Sequence, residues 1–164
     1  MDQPGIESWT RTDAEIASMN WHDVPIHGTL HLPETREIAF DIDYILEWLE
    51  PAQNDVYYRH WSAPATLVFH NVCRFVADVE PTVDTVFLGI GPTEDPIDAD
   101  ITIPSGVGTV RWWSLKCPIG YWRLVASGFT QYFRRAPVLT TGGRIDLARR
   151  GGMSFARQRD DSAA

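Results

Sequence analysis

Between Glu37 and Leu49 the even and odd positions carry different kinds of side chain. Ile38, Phe40, Ile42, Tyr44, Leu46 and Trp48 alternate with Glu37, Ala39, Asp41, Asp43, Ile45, Glu47 and Leu49. A period of two belongs to a strand, because a helix would scatter the same residues around its circumference. The Phe, Ile, Tyr and Trp content suits a pleated surface. The longest predicted element is therefore a strand over 36–50 with one apolar face and one partly acidic face. Ahead of it, Ile26, Gly28, Leu30 and Leu32 alternate with His27, Thr29 and His31, and Pro33-Glu34-Thr35 reads as a hairpin turn. Pairing Leu32 with Arg36 sets Leu30 against Ile38, Gly28 against Phe40 and Ile26 against Ile42, so that the apolar faces coincide. The same register opposes His31 to Glu37 and His27 to Asp41, with Cβ atoms about 4.5–5.5 Å apart.

Elsewhere the pattern predicts shorter elements. Thr12-Asp13-Ala14-Glu15 has capping-box spacing and opens a short helix over 13–19. The 52–64 connection carries Tyr57, Tyr58, His60 and Trp61, too aromatic for a wholly solvated loop. Residues 65–73 form an apolar interior strand running on towards Val79, and 84–90 form another. A hairpin follows around Pro104-Ser105-Gly106, and a last long strand spans 121–134, in which Gly128 marks a bulge or bend. About seven strands and one short helix define an all-β, mainly antiparallel fold that closes as a curled sheet, a half barrel, a barrel or a sandwich. Three segments result: 1–20 with the short helix, a single β domain over 21–139, and a Gly-, Arg- and Ser-rich tail over 140–164 expected to be mobile. Truncation after Leu139 is then expected to leave the melting temperature unchanged.

Composition narrows the classes. Among 164 residues, 44% are apolar and seven are Trp, which excludes a disordered chain. No run of about 18 apolar residues is available to span a bilayer, and the acidic N-terminus does not read as a secretory signal. Cys73 and Cys117 are too few and too far apart for a disulfide framework or a metal cluster, so a reduced, cytoplasmic setting is expected. The net charge of −8 is unevenly spread: 19 Asp and Glu against 4 Arg over 1–100, a balance of −15, and 3 acids against 10 bases over 101–164, a balance of +7. Such asymmetry marks either an interaction face or two parts that pair within one fold.

Candidate chemistry is sparse. His22, Asp23, His27, Asp41 and Asp43 form the one imidazole and carboxylate constellation suited to metal binding or acid/base work, although its spacing matches no metal motif. Gly89-Ile90-Gly91 leads into Pro92, which removes a backbone donor a phosphate loop needs. Trp112, Trp113 and Trp122, with Arg111, Arg123, Arg134 and Arg135 nearby, suggest a base-stacking and phosphate-binding surface, but core packing is preferred in so acidic a chain. No catalytic residue, metal ligand or cofactor is assigned, and no nucleic-acid or membrane partner is expected. The oligomeric state is not legible.

Trp21-His22-Asp23 before Ile26-His27-Gly28, then 41–48 (DIDYILEW), then 63–72 (APATLVFHNV) resemble an uncharacterised family of small bacterial proteins, with 126–131 (ASGFTQ) fitting its last strand. The resemblance covers 20–137, implies a mostly β domain and brings no catalytic residues. The layout is also loosely similar to acidic immunity proteins of bacterial toxin systems. The leading expectation is thus a non-catalytic binding protein with a protein partner, toxin-neutralising in its sharpest form. The alternative is a metal-dependent enzyme or a small-ligand-binding β-barrel built on the His22, Asp23, His27, Asp41 and Asp43 cluster.

Overall fold

In the computed structural model, which describes residues 2–51, 53, 56–80 and 85–160, the alternation of 37–49 becomes a strand buried on both faces. In chain order the elements are β1 (Thr10–Thr12), a 3-10 helix (Asp13–Ser18), β2 (Val24–Leu32), β3 (Glu37–Leu49), β4 (Arg59–His70), β5 (Arg74–Val79), β6 (Val86–Phe87), β7 (Gly89–Pro92), β8 (Arg111–Lys116), β9 (Gly120–Ala126), β10 (Gly128–Phe133), β11 (Val138–Thr141) and α1 (Leu147–Arg150). Every pairing is antiparallel. A larger, curled sheet runs β1-β10-β4-β3-β2-β6, with β11 extending the β10 side of β4, and a smaller sheet runs β5-β9-β8-β7. The all-β antiparallel class read from the pattern is the observed one.

The sheets share one apolar core. Phe40, Ile42, Leu67, Phe69 and Phe129 of the larger sheet meet Trp113, Leu115, Trp122 and Leu124 of the smaller. The rings meet edge to face, as Phe40 with Trp122 at 5.6 Å and Phe69 with Trp113 at 5.7 Å, the geometry the ring quadrupole favours. Trp112, Trp113 and Trp122 are all buried. Of the short crossings between sheets, one is Leu88 between β6 and β7, and two others lie together. The first of these two leaves β4 at Asn71, whose φ of 52° is left-handed, and the second lies at Ser127-Gly128, where φ of 153° at Gly128 suits only glycine. Ser127 N–H donates to His70 O (3.0 Å) and Asn71 Nδ2 to Ser127 Oγ (3.0 Å), which ties the crossings together. The single strand predicted over 121–134 is therefore two strands in different sheets.

The β2–β3 register departs from the expected one by a single residue over most of its length. The turn holds four residues, Pro33–Arg36, with Arg36 at φ 53° and its N–H on Pro33 O, so Leu32 pairs with Glu37 rather than Arg36. A bulge at His27 absorbs the shift and restores Ile26 against Ile42. His31 therefore lies opposite Ile38 and Gly28 opposite Asp41, which corrects the predicted His31–Glu37 and His27–Asp41 pairs. Other elements also differ from prediction. The helix is 3-10, with Glu15 accepting from Thr12 N–H at 2.9 Å. The strand expected to run through 65–79 breaks after His70, and 101–110 is a loop with a turn at 104–107. The strand predicted over 84–90 is observed as β6 and part of β7, its first residue lying outside the described set.

The largest correction concerns the tail. Residues 142–160 pass over the outer face of the larger sheet, the face turned away from the smaller one. Ile145 and Arg150 are buried, Thr66 Oγ1 donates to Ala156 O (2.7 Å), and Asp160 N–H donates to Arg134 O (2.7 Å). Glycine at 28 lets this strap approach, since a Cβ there would lie 2.8 Å from Met153 Sδ.

Candidate functional site

Two features stand out on the outer face of the larger sheet: a sealed charge network under the strap, and an open aromatic cleft where the strap begins. The network grows from β3, whose alternation places Asp41 and Asp43 together on the outer side. Two arginines reach them. Arg134 directly follows β10. Arg150 ends α1, which Asp146 caps by accepting from Ala148 N–H at 2.9 Å, and Gly151 and Gly152, both at positive φ, turn the chain away behind it.

Asp41 Oδ1 accepts from Arg134 Nη2 and Arg150 Nη2, both at 2.6 Å, and its Oδ2 accepts from Arg150 Nη1 at 2.8 Å and Ser154 N–H at 2.9 Å. Asp43 Oδ1 accepts from Arg150 Nε at 3.0 Å, and its Oδ2 meets His27 Nε2 at 2.7 Å and Ile145 N–H at 3.0 Å. Arg134 also donates to Thr66 Oγ1 (3.2 Å) and to Ser154 O. Asp41 and Asp43 are 0% exposed, Arg150 2% and Arg134 4%. Burial alone would raise the Asp43 carboxyl, but the His27 hydrogen bond, the Arg150 charge and the Ile145 N–H together hold it below its ordinary value. Two carboxylates against two guanidiniums, with every carboxylate oxygen accepting, leave no free nucleophile or base. The arrangement is a clamp between strand and strap.

A second polar chain lies further along the same face. Arg157 Nη2 donates to Glu37 Oε2 (2.5 Å), His70 Nδ1 meets Glu37 Oε1 (3.1 Å), and His70 Nε2 meets Thr130 Oγ1 (2.9 Å). The Arg157 hydrogen bond, against the opposing effect of burial, lowers Glu37 from 4.5 to about 2. Both Glu37 and Asp43 therefore have folded-state values depressed below their unfolded ones. Their stabilisation is fully present above the unfolded values and is lost as pH falls through the folded ones. The expected result is an unfolding free energy that declines between pH 4.5 and about 2, with a smaller decline in Glu37→Gln. Urea titrations at stepped pH on both chains measure it.

The cleft lies at the far end of β3. A second bulge, at Leu46, lets Trp48 face His60 of β4, with ring centroids 5.0 Å apart. One lobe, about 420 Å³, is lined by Asn20, His22, Asp23, Trp48 and Tyr58. A neighbouring lobe of about 290 Å³ shares Asp23, Trp48 and Tyr58 and adds Tyr57, His60 and Arg144 among others. Tyr57 and Tyr58 are 65% and 55% exposed. His60 is buried against Ser62 Oγ (2.6 Å) and Thr140 Oγ1 (2.9 Å). That burial lowers its pKa despite the carboxylates of Asp43 and Asp23, so its ring is neutral near pH 7. Arg144 turns inward, donating to Ile26 O (2.8 Å) and Thr85 O (3.2 Å).

The five residues singled out from sequence therefore divide. His22 and Asp23 pair with each other at 3.0 Å on the exposed wall of the cleft. His27, Asp41 and Asp43 lie in the sealed network, where the partner of His27 is Asp43 rather than Asp41. Among the described residues no three His, Cys, Asp or Glu side chains gather as a metal-holding group. The sequence pattern sets Arg134 only beside the tryptophans and pairs neither it nor Arg150 with Asp41 and Asp43; the +7 balance of 101–164 is the signal for such a pairing.

The fold and these features define a two-sheet antiparallel β protein whose larger sheet is strapped on its outer face by ion pairs. The chain matches no family model, no curated protein and no solved structure. No helix among the described residues is long and apolar enough to cross a membrane.

Proposed function

We propose that this is a non-catalytic protein-interaction module that engages its partner through the open aromatic cleft. The observation that carries the reading is the contrast between the two outer-face features. The charged groups that chemistry could use are consumed by one another, while Tyr57 and Tyr58 are presented to solvent beside Asp23 and the half-buried Trp48. Tyr and Trp dominate the energetics of protein interfaces because each brings large amphipathic area at little entropic cost. A toxin-neutralising role in a bacterial cytoplasm, which the likeness to immunity proteins implies, is one form such a module takes.

The experiment compares affinity-tagged wild-type chain with Trp48→Ser/Tyr58→Ser on the lysate of the source cell. A stoichiometric protein partner retained by wild type, and reduced at least about tenfold by the double variant at unchanged circular dichroism, is the expected result. Equal retention by both chains, or no stoichiometric partner, rejects the reading.

A further inference from the structure

Resting on that reading, we infer that the cleft is a cation-recognising cage that takes a lysine or arginine side chain of the partner protein. The Trp48 and Tyr58 rings stand 6.4 Å apart at 83°, two near-perpendicular walls of the larger lobe. The Asp23 carboxylate and His22 complete the lining with Asn20, and neither Arg nor Lys lines this lobe. Aromatic faces attract a cation through their quadrupoles, most strongly when a ring pair and a carboxylate converge on it. The volume of about 420 Å³ admits a side-chain head group with part of its stem.

Charge complementarity points to the same occupant. The chain carries −8 overall, and Arg134, Arg150 and Arg157 are tied to Asp41, Asp43 and Glu37 inside the fold. Arg144, which lines the neighbouring lobe, is directed at two backbone carbonyls. The chain makes the same kind of contact with its own residues: Arg159 stands 4.3 Å from the Trp9 ring centroid and Arg123 4.5 Å from that of Trp112. A partner's cation seated in the corner that Trp48 and Tyr58 form extends this chemistry to an intermolecular contact. The carboxylate of Asp23, now paired with His22, turns to the incoming head group.

The test uses the full chain and four probes: Nα-acetyl-lysine amide, Nα-acetyl-arginine amide, choline, and 3,3-dimethylbutanol, the uncharged carbon isostere of choline. Chemical shifts of the Trp48 indole N–H are followed in each titration. The expected result is saturable shifts with the three cations, at least about fivefold weaker binding of the isostere, and similar weakening of the cations by Asp23→Asn. Tyr58→Leu, which keeps apolar volume, loses cation binding in the same proportion. Equal binding of the isostere, or no saturable shift with any cation, overturns the cage. If the cations fail while Trp48→Ser/Tyr58→Ser still abolishes partner capture, the cage falls and the interaction module stands. If the cations bind while capture is indifferent to the double variant, the cage stands as a small-cation site, and both the lysine or arginine occupant and the interaction reading fall.

Discussion

Arg150→Ala lowers the free energy of unfolding by about 3–5 kcal/mol, the loss typical when one member of a buried ion pair is removed and its partner stays behind. Here two partners stay behind. Arg150 donates three of the hydrogen bonds to Asp41 and Asp43 that exceed what Arg134 and His27 supply, and it is itself 2% exposed. Without it, two carboxylates lie in a dry site facing one guanidinium and one imidazole. The control is Leu147→Ala on the same helix, where the side chain is 57% exposed and the expected change is within about 0.5 kcal/mol. Urea unfolding followed by tryptophan fluorescence gives both values. A second comparison separates charge from packing: in Asp43→Asn/Arg150→Met one carboxylate and one guanidinium leave together while Asp41 keeps Arg134, and part of the loss is recovered. An Arg150→Ala loss no larger than that of Leu147→Ala would mean the clamp contributes nothing.

Truncation after Leu139 has the other large effect. It deletes Arg150 together with Ile145, Arg144, Ser154 and half of β11, so it exposes the outer face of β3 and removes four kinds of contact at once. The expected drop in melting temperature is at least about 10 °C, given about 2–4 °C per kcal/mol in a domain of this size. Thermal melts of the two chains decide it, and a change under about 3 °C would show the strap to be dispensable. This reverses the expectation drawn from the composition of 140–164. Arg, Ser and Asp read as solvated because those residues are exposed in most proteins, and Gly reads as loop. Here Arg150 is buried by partners that lie 107 to 109 residues earlier, and no local pattern encodes such a pairing.

Other features divide the same way between local and long-range causes. The alternation of β3 was legible because a strand's two faces are written in adjacent residues, and the inward set, Ile38, Phe40, Ile42 and Tyr44, is buried in the shared core. Gly128 was legible as a break, though not as a passage between sheets. The register error had a local cause that the residue types conceal. Arg36 adopts the left-handed conformation that a turn ordinarily assigns to glycine or asparagine, so nothing in its identity lengthens the predicted turn. The aromatic run over 57–61 was read as partly buried. His60 is buried and Trp61 half-buried, whereas Tyr57 and Tyr58 remain exposed and line the cleft.

The distance in sequence between Asp41 and Arg150 bears on how the chain is made. A ribosome releases the two carboxylates of β3 long before the guanidinium that neutralises them, at about 5–20 residues per second. Until Arg150 emerges, the outer face of the larger sheet holds acids that favour water over burial, and the β3 strand has its stabilising partner on one side only. A polypeptide broken off between positions 134 and 150 keeps the Arg134–Asp41 pair but leaves Asp43 with no guanidinium against it.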